Sequence, residues 1–293
     1  MGEVIGAGLV AHSPTIMMPL ADRLALNEGR EISLVPGLQR LRREVLDRLQ
    51  PDTIIVFDSH WFTTVEFCVS AHPLRTGLFT SDELPRGMRQ VPFNMKGNPV
   101  LAQAIAEEAT RAGVRTSAID DPFLPVHYPT INVNHYLDGR EEWLSVSCAQ
   151  TADPEDFLNV GVGVGRAIAR VGGRVVLLAS GSMSHRFWPL RELEKHESSD
   201  PAHISRPEAR AADLERIGWF ERGDHAQVID TMPEFLKFAP EARFGHYLMM
   251  VAALGGRDCR APGVRFSDYE NATGTSQVHV WFEKPVGGWD SRA

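Results

Sequence analysis

The sequence predicts an α/β fold: a single-domain sandwich in which a central mixed sheet is flanked by helices and the active site lies at the carboxyl ends of strands. Three observations lead there. Short apolar runs alternate with amphipathic stretches along most of the chain. No Pro/Gly/Ser-rich linker, charge block or internal repeat divides it. Three histidines follow directly on three of the apolar runs. At roughly 100–200 residues per domain, 293 residues allow one large domain or two small ones. Without a linker the expectation is one catalytic domain over 1–293.

Residues 4–10 read as a glycine-containing first strand. Over 36–50, Leu38, Leu41, Val45, Leu46 and Leu49 fall on one helical face. TIIVFD at 53–58 is a continuous apolar run, the pattern of a strand buried on both faces, and TVEFCVSA at 64–71 follows closely enough for a hairpin. Asn98 as cap, Pro99 at the first helical position and Gly113 as terminator frame a helix over 98–112. Further strands are expected at 142–148 and 174–180 around a helix from about 155 to 170. From 205 to 256 the pattern is helical, with a helix from Gly245 to Leu254 stopped by Gly255 and Gly256, and a last strand spans 276–283. The stretches 72–97 and 183–206 read as long irregular loops, which in compact domains are commonly functional.

Composition excludes several functions. With a net charge of −8, the chain has no basic surplus to hold nucleic acid or an anionic membrane. Cys68, Cys148 and Cys259 are too few and scattered for a disulfide framework or thiolate metal cage. The N-terminal stretch lacks the pattern of a secretory signal, and no apolar run approaches the ~20 residues of a membrane span, so a cytoplasmic protein is expected. GVGVG at 161–165 lacks the G-x-G-x-x-G spacing of a dinucleotide site and reads as helix–sheet packing, and no G-x-S-x-G elbow is present.

Chemistry concentrates in the histidines. Of eleven, His12 follows the first strand, His60 follows the 53–58 strand and His185 follows the 174–180 strand. In open α/β sheets ligands bind just outside the carboxyl ends of strands, so these three are placed to meet in one crevice. Neutral imidazole is a common ligand of first-row transition metals, and His12 and His60 form the best pair. Asp58 lies two residues before His60, where it either orients a ligand or caps the strand end. Ser13, Phe62 and Arg186 adjoin this crevice, the arginine offering a fork to an acidic substituent. For His72, His135, His196, His203, His225 and His279, surface or packing roles are expected.

The ordered set Ala-His12-Ser-Pro, IIVFDSH60W, Val-His127-Tyr-Pro and LASGSMSH185R resembles the class III extradiol ring-cleavage dioxygenases of the protocatechuate 4,5-dioxygenase type over nearly the whole chain. DTIIVFDSHW, FTSDELP, GNP and GTSQV are similar to the branch that acts on 3,4-dihydroxyphenylacetate. The resemblance implies a mononuclear Fe(II) site of two histidines and one carboxylate. A small catecholic substrate and O2 would be its partners, and self-association would make it a homo-oligomer. His12 and His60 match the two ligand histidines, His185 the acid/base histidine, and His127 a second active-site histidine found in part of the family. The family carboxylate opens the helix read here as GHYLMMVAALGG, where the matching position is His246. Three histidines are therefore expected to hold the metal, with Glu241, five residues earlier, as the alternative acid and a weakened metal site as the third possibility. Three other functions stay open: a metal-free partner subunit or binding protein, cleavage of an aminophenol or hydroxypyridine ring, and a zinc-type hydrolase on the same histidines.

Overall fold

The computed structural model describes residues 2–291. Its first strand, β1 (Glu3–Val10), leads through a short 3-10 turn at Pro14–Met17 and α1 (Leu20–Leu26) to a helical run over 34–49. That run comprises α2 (Leu34–Arg40), a π-helical Leu41–Leu46 and α3 (Asp47–Leu49). Then come β2 (Thr53–Thr63), β3 (Phe67–Ser70), β4 (Leu74–Phe79), β5 (Val91–Lys96), α4 (Pro99–Arg111), β6 (Thr116–Ile119), α5 (Tyr128–Leu137) and β7 (Glu142–Ala149). After α6 (Pro154–Val171) and β8 (Arg174–Ser180), a helical stretch holds α7 (Pro207–Arg222), α8 (His225–Asp230), α9 (Met232–Phe235) and α10 (Gly245–Ala253). The chain closes with β9 (Gly263–Arg265), β10 (Glu270–Ala272), β11 (Thr275–Gln277) and β12 (Val280–Glu283).

Eight strands form one mixed sheet in the order β6-β3-β7-β2-β8-β1-β12-β9. Its centre, β7-β2-β8-β1, is parallel throughout, so these four carboxyl ends share one edge. Alternation of side chains across the pleat gives each face its own core. Ile55, Phe57, Leu177 and Ala179 point to the layer of α4, α6 and α10, whereas Ile54, Val56, Val176 and Leu178 point to the layer of α2 and α5. Expected helix signals appear as read: Asn98 Oδ1 accepts from the Leu101 amide at 2.9 Å, and α10 ends before Gly255 and Gly256, both at positive φ.

Five sequence expectations need correction. β3 does not form a hairpin with β2; β7 lies between them, and β3 pairs in parallel with β6. β2 runs on to Thr63, past the expected end at 58. The supposed loop 72–97 holds the β4–β5 hairpin, and the last strand is broken into β11 and β12. GVGVG packs helix on helix: a Cβ on Gly161 would stand 2.2 Å from the Met249 carbonyl oxygen of α10, and one on Gly163 2.5 Å from the Ala109 nitrogen of α4. Glycine is required there by the close approach of two backbones.

Candidate metal centre

Parallel strand ends bring the three histidines together. His12 lies two residues beyond β1, His60 in the last turns of β2 and His185 five residues beyond β8. His60 is aimed by an irregularity in the ladder: between the pairs Phe57↔Val146 and Phe62↔Cys148, β2 sets four residues opposite the single Ser147. Asp58 fixes this bulge. Its Oδ1 accepts from the amides of His60 and Trp61, each at 3.0 Å, and its Oδ2 accepts from the Thr130 amide at 3.2 Å and hydroxyl at 2.6 Å. The start of α5 is thereby tied to the end of β2. Asn132 of the same helix donates to the His12 carbonyl at 2.7 Å, and His12 Nδ1 lies 3.0 Å from Ser180 Oγ.

The acid beside this pair is Glu241, which corrects the expectation that His246 stands there. One atom from each of His12, His60 and Glu241 lies within 4.8 Å of the others. Glu241 Oε1 is 3.3 Å from His12 Nε2 and 3.0 Å from His60 Nε2, and its Oε2 is 3.9 Å from His185 Nε2. The Ser59 hydroxyl donates to Oε1 and the Ser182 amide to Oε2, the latter at 2.6 Å. Burial alone would raise this carboxyl, but the imidazoles of His12, His185 and His60 hold it well below the usual carboxylate range. His246 instead lies in the first turn of α10, fully buried and lining neither of the clefts described below. Its ring packs so tightly on Gly181 that a Cβ there would meet it at 2.5 Å, and neither ring nitrogen has a hydrogen-bond partner among the described residues. Burial lowers its pKa to about 3.

Glu241 reaches the pair through an unusual backbone. Ala242, Arg243 and Phe244 are all left-handed, with φ of 45°, 57° and 62°. Such a run in residues with a Cβ persists only where packing enforces it. Phe244 is fully buried against Phe235 and Tyr247, the Glu241 amide donates to the Met183 carbonyl at 3.1 Å, and the His185 amide donates to the Ala239 carbonyl at 3.1 Å. His185 and Glu241 are thus held by adjoining, mutually bonded segments.

Sequence reading did not single out Tyr128 and Glu83, although they lie in Val-His127-Tyr-Pro and FTSDELP, two of the segments that carry the family resemblance. Tyr128 Oη lies 2.7 Å from His60 Nε2, and Glu83 Oε1 lies 3.0 Å from His60 Nδ1. Burial would lower the His60 pKa, but Glu241 and Glu83 outweigh it and raise it to about 10. Burial and then the Glu241 and Glu83 carboxylates push the Tyr128 phenol well above its ordinary value, leaving it a neutral donor. His185 is lowered, chiefly by burial, and stays neutral near pH 7 although Glu241 partly opposes the shift.

Two clefts meet at the triad, sharing His185 and Glu241. The narrower, about 370 Å³, is lined by His60, Phe62, Gln150 and Arg243; the wider, about 730 Å³, by His12, Ser13, Tyr128 and Phe187. Ser13 Oγ lies 2.8 Å from Thr15 Oγ1. His127 caps α5 and stacks on Trp61 with ring centroids 5.9 Å apart, lining neither cleft. Arg186 is exposed and also lines neither. Away from the site, His279 Nδ1 accepts from the Ala11 amide at 3.0 Å, and His225 Nε2 lies 2.9 Å from the Ala261 carbonyl oxygen, so both serve packing.

Two imidazoles and one carboxylate gathered at a cleft form the donor set of mononuclear non-haem iron oxygenases. Similarity to known proteins points the same way. Residues 6–282 match the family described as the catalytic LigB subunit of aromatic ring-opening dioxygenase. The chain is 29% identical to 3,4-dihydroxyphenylacetate 2,3-dioxygenase of Escherichia coli over 259 residues, 87% of this chain and 91% of that protein. It is 25% identical to the 2-aminophenol 1,6-dioxygenase beta subunit of a Pseudomonas species over 285 residues, 86% of each. An uncharacterized protein of Escherichia coli K12 has the same fold, with a TM-score of 0.63 at 17% identity over 95% of this chain and 99% of that one. No helix among the described residues is long and apolar enough to cross a membrane. With a family match running from β1 to β12 and a His-His-Glu cluster at the carboxyl ends of its parallel strands, the chain belongs to the LigB family of aromatic ring-opening dioxygenases.

Proposed function

We propose that this protein is an Fe(II)-dependent extradiol dioxygenase that opens a ring bearing a 1,2-dihydroxybenzene head, the head that 3,4-dihydroxyphenylacetate carries, beside its two hydroxyls. The observation that carries this reading is the cluster of His12, His60 and Glu241 with His185 at its edge. The donor set fits Fe(II), because imidazole and carboxylate both suit it and three protein ligands leave positions open. When bound there, the ion supplies a Lewis acid for the ring oxygens and the electrons that activate O2.

The remaining roles belong to side chains. His185 Nε2, neutral and half-buried, accepts a proton from a ring hydroxyl and returns it as the ring opens. Tyr128, a buried neutral phenol lining the wide cleft, donates a hydrogen bond to an oxygen of the reacting group. Phe187, Leu84 and Leu193 shield the ring from water. Ser13 faces the ring from the same cleft. His127 acts at one remove, through the His60–Trp61 turn on which it stacks. We further infer a soluble cytoplasmic homo-oligomer, testable by fractionation and sedimentation.

A second reading, an aminophenol ring, is favoured by the match to the 2-aminophenol enzyme subunit. Both are tested by loading the protein with one Fe(II) per chain under nitrogen, then measuring oxygen uptake with 4-methylcatechol and with 2-aminophenol. One O2 consumed per catechol, with the absorbance of a ring-opened product, is the expected result. Uptake with 2-aminophenol alone would select the second reading. Bound iron without uptake on either ring would overturn both.

A further inference from the structure

The wide cleft has a charge pattern that bears on the rest of the substrate. Its volume of about 730 Å³ lies in the upper part of the roughly 300–1,000 Å³ range that holds drug-sized ligands, leaving room beyond a catechol ring for a substantial tail. Met18, Leu26, Leu84 and Leu193 give it apolar walls. Apart from Glu241 and the histidines, its charged lining residues are Asp22, Glu83 and Glu197, and no lysine or arginine lines it among the described residues. Three arginines neighbour its lining residues in sequence, Arg23, Arg86 and Arg186; none of them lines it, and Arg23 is closed in an ion pair with Glu31 at 2.7 Å. Asp22 and Glu197 have no such partner among the described residues, and Glu83 meets only His60.

A carboxylate tail placed in this cleft would face three carboxylates with no cation to receive it, and like charges brought together at a site are unfavourable. An ammonium or uncharged tail meets no such opposition. Arg243, the one arginine at either cleft, lies on the narrow side.

Building on the ring-opening reading, we propose that the substrate carries on its dihydroxybenzene head an uncharged or cationic tail with an apolar body, and that Asp22 and Glu197 select against a carboxylate tail. The preferred substrate would then differ from 3,4-dihydroxyphenylacetate at the far end of the molecule while sharing its reacting end.

The test is anaerobic calorimetry on the Fe(II)-loaded protein with three catechols of similar size: 4-(2-aminoethyl)catechol, 4-ethylcatechol and 3,4-dihydroxyphenylacetate. The amine and the neutral compound are expected to bind about tenfold or more tighter than the acid, and Asp22→Asn with Glu197→Gln should narrow the amine-to-acid ratio several-fold. An acid that binds as tightly as the neutral compound overturns the proposal, as does a ratio unchanged in the double variant. An acid preference abolished by Arg243→Gln would seat the tail in the narrow cleft and overturn it too. Oxygen uptake in parallel separates the two claims: no uptake with the binding order intact defeats ring opening alone, whereas uptake with the order reversed defeats tail selection alone.

Discussion

Glu241 is enclosed yet ionised, because the imidazoles on three sides compensate the loss of water. Replacing it with glutamine keeps its shape and removes its charge. Glu241→Gln should therefore lower iron occupancy about tenfold or more, whereas His246→Ala, behind Gly181, should leave iron content near that of the wild type; metal analysis of both variants decides. His185→Gln should retain iron and lose about 10²–10⁴ in turnover, the usual worth of a positioned acid/base group. His12, His60 and His185 were legible in the sequence because each follows a recognisable apolar run. Glu241 was displaced by five positions because the turn that delivers it is built from Ala242, Arg243 and Phe244, none of which signals a left-handed backbone. Tyr128 was hidden because its contact with His60 depends on where α5 starts, a matter settled by Asp58 at the far end of β2.

At the scale of elements, the site depends on the bond between β2 and α5. In Asp58→Asn an amide replaces one carboxylate oxygen, so either the His60 and Trp61 amides or the Thr130 amide and hydroxyl lose an acceptor. A buried donor left unpaired costs about 1–3 kcal/mol, and displacement of a ligand by its support costs about 10–100-fold in metal affinity. Both losses are expected, read by denaturant unfolding and iron titration; loss of stability with metal affinity intact would make Asp58 a fold residue alone. The helical elements were readable from caps and periodicity, as at Asn98 and Gly255. The position of β3 was not, since its neighbours β6 and β7 come from 46 or more residues along the chain and only long-range pairing brings them there.

For the whole molecule, the central parallel strands were read correctly because burial on both faces leaves continuous apolar runs, and β7-β2-β8-β1 supplies the shared edge on which the triad is built. Three histidines enclosed in this scaffold set its acid response. Burial depresses His225 and His279 to about 4 and His246 to about 3, against an ordinary value of 6.5. Below about pH 6.5 the unfolded chain takes up protons that the folded chain refuses, so stability falls as pH falls, by about 1.4 kcal/mol per unit for each group until its folded pKa is passed. Asp213, raised to about 6 by burial, works the other way, since the folded protein gains its proton first. His127, His135 and His185 are lowered as well, chiefly by burial, and Glu270 is raised, so six histidines against two acids predict a net fall in the metal-free protein, measured as a declining Tm between pH 6.5 and 4; a flat profile would contradict it.

The most direct measurement on the central claim is iron anomalous diffraction from crystals loaded with Fe(II) under nitrogen. The account predicts a single strong peak within bonding distance of His12 Nε2, His60 Nε2 and a carboxylate oxygen of Glu241, with His185 beside it and unbound. A peak at His246, or none at these three side chains, would contradict it.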